Sequence, residues 1–164
     1  MQRRAVLLSL GASALSACGF RLRGSVRMPN YPLLVRGAAN ATTLALIARL
    51  REGGVQVWLS GDPKAPESVQ HVLVVQHDRR IRTVQGANNS GLVRELLLKI
   101  EFRWSLVDAQ DVELIAPQDM REEQDMSYNE TAALGKSEEE AALFESMQTR
   151  VVQATISRLS NLGR

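Results

Sequence analysis

The one thiol in the 164-residue chain, Cys18, follows Leu15-Ser16-Ala17 directly. A lipoprotein signal peptidase acts at a diacylated cysteine in this setting, so the residue points to lipidation rather than to disulfide, metal or nucleophilic chemistry. Upstream lie Arg3-Arg4 and the uncharged run Ala5 to Ala14, a basic n-region and an apolar h-region. The segment is too short for a permanent bilayer span, which takes about 20 residues. Residues 1–17 are therefore expected to be an export signal, with Cys18 the lipid-bearing first residue of the mature chain. Gly19 stands where an aspartate would retain a lipoprotein at the inner membrane, which directs the expectation to the outer membrane. The Arg3-Arg4 pair lacks the rest of a twin-arginine signal, so the ordinary export route is expected.

The remaining reactive side chains are sparse. His71 and His77 stand six residues apart on one expected strand, about 20 Å at 3.3 Å per residue, and cannot share a metal ion. The mature chain has no glycine-rich phosphate loop, nucleophile elbow or metal-spaced His/Cys cluster. Glu138, Glu139 and Glu140 are adjacent, but a helix directs them to different sides, and Ser137-Glu138-Glu139-Glu140 reads as a capping box. An enzyme is not expected. The basic run Arg79, Arg80, Arg82, with Arg94 returning across a turn, has two readings: an anion site, or a solvated hairpin whose charges block edge-to-edge pairing. Export excludes nucleic acid as the anion and leaves phosphorylated lipid or an acidic protein surface.

Removing the signal leaves a single domain's length of chain with zero net charge. The zero conceals a division. Residues 18–108 hold thirteen basic and seven acidic side chains, and residues 109–164 hold five and eleven. Such an asymmetry either forms a binding surface or draws the two halves together.

Residues 18–32, with Pro29 and Pro32, read as a tether and extended entry to a single domain at 33–164. Leu33-Leu34-Val35 is a short strand. A helix of about ten residues follows, capped by Thr42 or Thr43, with Leu44, Ile47 and Leu50 inward and a glycine stop at Gly53-Gly54. Val55 to Leu59 is a second strand, parallel to the first. Residues 69–85 and 93–107 form a long hairpin around the Gly86 to Gly91 turn. Along its second arm Leu96, Leu98, Ile100, Phe102, Trp104 and Leu106 share one face, the period of a strand buried on one side. Residues 119–128 alternate weakly and suggest another antiparallel strand. The capping box then opens a closing helix to about Asn161, with a stripe of Leu143, Phe144, Met147, Val151, Ala154 and Leu159. The expected fold is an α+β sandwich: two helices on one face of a mixed, mostly antiparallel sheet of four to five strands.

Cys18-Gly19-Phe20-Arg21-Leu22-Arg23-Gly24 resembles the mature start of the lipopolysaccharide-assembly lipoproteins of the LptE family: cysteine, glycine, an aromatic, any residue, leucine, arginine. The stretch Tyr128-Asn129-Glu130 through Ala133-Leu134-Gly135-Lys136-Ser137-Glu138-Glu139-Glu140 to Met147 is similar to that family as well. The resemblance implies the same two-layer fold, no catalysis, and no cofactor beyond the N-acyl and S-diacylglycerol lipid on Cys18. It implies a seat within the lumen of an outer-membrane β-barrel of the LptD type, where the pair delivers lipopolysaccharide to the outer leaflet. It also carries two lipopolysaccharide-binding cations. One matches Lys136, which a local salt bridge would explain equally. The other aligns near Gln85, which is not basic, so Arg80, Arg82 or Arg94 would have to substitute. The alternative is a stand-alone periplasmic lipid carrier, which requires an enclosed apolar cavity.

Overall fold

The computed structural model describes residues 27–87, 91–128 and 133–162. The expected export signal, Cys18, most of the expected tether, the centre of the hairpin turn and residues 129–132 of the second family-like stretch lie outside them. In chain order the elements are β1 (Leu33–Gly37), α1 (Ala41–Glu52), β2 (Val57–Leu59), β3 (Val72–Ala87), β4 (Val93–Val107), β5 (Glu113–Ser127) and α2 (Ala133–Leu159). The five strands form one sheet in the order β2-β1-β3-β4-β5. β1 is parallel to β2 and β3, while β3, β4 and β5 run antiparallel. Both helices pack on one face, as the apolar patterns required.

The core follows from period-two burial on β4. Leu96, Leu98, Ile100, Phe102, Trp104 and Leu106 are each at most 1% exposed, against Leu33, Val35, Leu73 and Val75 from β1 and β3. The helices close it with Leu46, Ile47 and Leu50 of α1 and Met147, Val151, Val152, Ile156 and Leu159 of α2. The indole of Trp104 keeps a polar contact in this interior, donating to Met120 Sδ at 3.4 Å. The sheet's other face is open and carries cross-strand ion pairs: Arg103–Asp119 at 3.1 Å, Lys99–Glu123 at 3.2 Å and Arg121–Glu101 at 3.1 Å.

Several details depart from expectation. The first helix begins at Ala41, so neither threonine is its N-cap, and the residue in that position, Asn40, makes no side-chain cap bond. The cap comes from another element. The buried carboxylate of Asp78 on β3 accepts the Thr43 amide at 2.8 Å and the Thr43 hydroxyl at 2.9 Å. An anion at a helix N-terminus is stabilised by the unpaired amides and the dipole. Asn40 returns the contact by donating its side-chain amide to the Asp78 carbonyl at 2.8 Å. Leu44 is 51% exposed and Leu46 is buried in its place, because the covered stripe is 43, 46, 47, 50. On α2, Ala154 faces solvent while Val152, Thr155 and Ile156 enter the core.

The capping box at Ser137 is also overturned, because α2 already runs from Ala133 and the serine lies inside it. Glu140 reaches across to the sheet instead. β5 is longer than its weak alternation suggested and carries Pro117 in an edge strand, where a missing N–H is tolerated. The register there skips from Trp104↔Gln118 to Leu106↔Ile115, a bulge around that proline. One glycine is required by close approach: a Cβ on Gly37, at φ +109°, would lie 2.2 Å from the Val75 carbonyl oxygen.

A second irregularity decides what the helices see. In the β3–β4 register, Val75 pairs with Trp104 and His77 with Arg103, which leaves Gln76 as an extra residue. Such a bulge inverts the alternation. Before it, Leu73 and Val75 face the helices; beyond it Asp78, Arg80 and Arg82 do.

Candidate functional site

The distal half of the β3–β4 hairpin carries the phase set by Gln76 away from the apolar core. Arg80 and Arg82 point toward α2, and Arg79 takes the open face. On α2, Ser137, Glu140, Ala141 and Phe144 form one stripe at helical spacing, and Tyr128 follows β5. Together with the two arginines they line an open cleft of about 520 Å³.

Each guanidinium is held twice. Arg80 stands 5.4 Å over the Phe144 ring centroid and bonds the Gln148 side-chain oxygen. Arg82 stands 5.4 Å over the Tyr128 ring, and its Nε lies 3.3 Å from the Glu140 carboxylate. Stacking on a ring limits the rotamers of a long cation and leaves its in-plane donors available. The cleft therefore offers fixed guanidinium donors beside the partly exposed Tyr128 ring, with Phe144 buried beneath Arg80. That combination suits an anionic headgroup attached to an apolar body.

The four predicted cations do not converge equally. Arg80 and Arg82 line the cleft. Lys136 is on α2 rather than in a loop before it; its ammonium is 2.7 Å from Glu139 and 3.5 Å from the Ser127 hydroxyl, beside the cleft rather than in its wall. Arg94 is exposed at the start of β4, and its carbonyl accepts the Tyr128 amide at 2.8 Å, which brings its backbone next to that wall. Cys18 lies outside the described residues. Sequence reasoning missed Tyr128, Phe144 and Glu140 as cleft components, and Gln148 as the side chain that holds Arg80. The available signal was the spacing 140, 144, 148 on α2, which the capping reading of Glu140 obscured.

The charge division between the halves of the chain has a structural use. Arg36–Asp111, Arg82–Glu140, Lys99–Glu123 and Arg103–Asp119 each join the basic first part to the acidic second part. Exposed pairs of this kind contribute about 0–1 kcal/mol each, so they align the halves more than they stabilise them.

At the opposite end, Tyr31 in the entry segment donates its hydroxyl to the Leu159 carbonyl at 2.7 Å and stacks on His71 with ring centroids 4.1 Å apart. Burial pushes the Tyr31 phenol up to about 12 and lowers the His71 imidazole below its usual value. His71 precedes β3 and His77 lies along it, apart as expected. Among the described residues, no three His, Cys, Asp or Glu side chains come together in a way that could hold a metal ion.

The family model described as LptE: Lipopolysaccharide-assembly matches residues 25–159. The fold is similar to that of an uncharacterized lipoprotein B from Nitrosomonas europaea, with a TM-score of 0.65 at 24% identity, covering 87% of this chain and 90% of that one. A minor lipoprotein from Acinetobacter baumannii matches with a TM-score of 0.61 at 17% identity, over 82% and 94% of the two chains. Rare lipoprotein B from Shewanella oneidensis matches with a TM-score of 0.56 at 22% identity, over 80% and 99%. No curated protein matches the chain.

Proposed function

The chain belongs to the LptE lipopolysaccharide-assembly family, and on that premise we propose that it is an outer-membrane lipoprotein that seats in an LptD-type β-barrel and presents lipopolysaccharide to it. Membership supports a role in lipopolysaccharide assembly in the bacterial envelope, in a family without catalytic activity. The finer reading gives Cys18 a lipid anchor and makes the cleft the contact for lipopolysaccharide phosphate.

One observation carries that reading: Arg80 and Arg82, turned toward α2 by the bulge at Gln76, stand over Phe144 and Tyr128 in a cleft open to solvent. Phosphate groups on an acylated sugar pair with guanidinium as charge-assisted acceptors, while the partly exposed Tyr128 ring accepts adjoining apolar surface. Lys136, ion-paired with Glu139, and the backbone of Arg94 lie beside this wall. A carrier that encloses its lipid is disfavoured, because side chains at most 7% exposed fill the space between sheet and helices.

Two measurements test the proposal. Affinity purification of the lipidated chain from envelopes in mild detergent should recover a large β-barrel, and repeated recovery without one would sink the partner assignment. The R80Q/R82Q variant should bind purified lipopolysaccharide about ten-fold or more weakly, the loss expected for removing charge-assisted bonds. Undiminished binding would remove the cleft from the mechanism.

A further inference from the structure

Resting on the cleft as the lipopolysaccharide site, we propose that Glu140 is its selectivity residue: a tethered carboxylate that keeps Arg82 from singly charged lipids and yields it to a phosphate monoester. The carboxylate lies 3.3 Å from Arg82 Nε, inside the cleft wall, with 23% of its side chain exposed. Arg82 is its ion-pair partner. Its neighbour Glu139 is engaged elsewhere, 2.7 Å from Lys136.

The selectivity follows from charge. The charged side chains lining the cleft at neutral pH are Arg80, Arg82 and Glu140, with the neutral phenol of Tyr128 beside them. With Glu140 on Arg82 they sum to one positive charge; with Glu140 turned to solvent they sum to two. A group tethered within reach competes at an effective concentration on the order of millimolar or more. A phosphodiester lipid with one negative charge offers Arg82 the same charge that Glu140 already supplies, so the exchange brings no Coulombic gain. A phosphate monoester carries about −1.5 to −2 at neutral pH with three acceptor oxygens, which matches the doubly positive cleft. Glu140 thereby discriminates by headgroup charge among amphiphiles whose apolar parts are alike.

Two soluble lipids with identical acyl chains test this: dihexanoyl phosphatidic acid, a monoester, and dihexanoyl phosphatidylglycerol, a diester. They would be titrated calorimetrically into the full lipidated chain in a nonionic detergent. The wild-type chain should bind the monoester about ten-fold more tightly. Glu140→Gln, which keeps helix propensity and shape, should raise diester affinity and reduce the preference to about three-fold or less. Glu145→Gln, on the same helix but outside the cleft wall, should leave the preference at its wild-type value.

An unchanged preference in E140Q, weaker binding of both lipids by E140Q, or no preference in the wild type each overturns the proposal. Should E140Q fail to fold, Glu140→Asp, one methylene short of Arg82, should give an intermediate preference, and a wild-type value there overturns it. R82Q separates this failure from that of the underlying reading. Loss of monoester binding in R82Q beside an unchanged E140Q preference removes only the selectivity role, whereas intact binding in R82Q removes the cleft itself.

Discussion

Strands β3 and β4 pair along almost their whole length, but they present two different surfaces to the helices. In the proximal half, near β1 and β2, the facing side chains are Leu73, Val75, Phe102, Trp104 and Leu106, sealed by α1 and the C-terminal part of α2. In the distal half β4 still contributes Leu96, Leu98 and Ile100, but β3 contributes Arg80 and Arg82. The proximal half holds the fold together, and the distal half exchanges apolar area for fixed charge at a solvent-open cleft. Natural sequences break the local rules of burial mainly where a site needs it.

Stability and binding should therefore respond to different residues. The largest stability change is expected from Trp104→Ala, since the indole is fully buried; truncations of this kind cost about 3–5 kcal/mol. Urea unfolding should show the loss, and lipopolysaccharide affinity measured where the variant is still folded should stay near wild type. A comparable loss of affinity would erase the distinction between the halves.

Asp78 marks the boundary, being the first inward residue beyond the bulge. Asp78→Ala removes the cap that β3 supplies to α1 and should cost about 1–2 kcal/mol by thermal or chemical unfolding. Asn at the same position, which keeps an acceptor oxygen, should recover part of it. An unaltered midpoint for the alanine variant would show that α1 caps itself.

A smaller, pH-dependent effect belongs to the proximal end. Burial lowers the His71 imidazole below its unfolded value of 6.5, so both states are neutral well above that value. As pH falls through it, the unfolded chain takes up the proton first, and stability declines until the folded imidazole also titrates. The urea midpoint should drop between about pH 7.5 and about pH 5.5, and His71→Gln should flatten that slope. A midpoint that rises on acidification would contradict the sign.

The smallest stability effect is expected from R80Q/R82Q. Both guanidiniums are partly exposed, and such ring and ion-pair contacts contribute about 1 kcal/mol or less each. The same variant is the one expected to lose lipopolysaccharide, so this pairing of a small stability change with a large affinity change is the sharpest test of the comparison.

The legible parts of the sequence were those whose evidence lies within one segment. The alternation from Leu96 to Leu106 predicts the buried face of β4 residue by residue, because a strand packed on one side needs a period of two. The periodicity of α1 and α2 identified both helices, and misassigned Leu44 and Ala154 because a stripe wider than one row admits either neighbour. β5 was faint for a physical reason: as an edge strand with an open outer face, it buries little beyond Met126 and shows little contrast. The Ser137 capping box was locally well formed, but it lost to a helix that starts four residues earlier and turns Glu140 toward Arg82.

The sequence by itself determined the layer architecture, the two apolar helix faces, the single cysteine with its export signature, and the family resemblance, since each is written in contiguous residues. Only the tertiary structure decided which arginines enter the cleft. One bulged residue, Gln76, reverses the alternation of β3 from His77 to Val84, and a bulge exists only relative to the partner strand. The same holds for the cap that Asp78 lends to Thr43 and for the grip of Glu140 on Arg82: both join residues 35 or more positions apart, where no local pattern records the pairing.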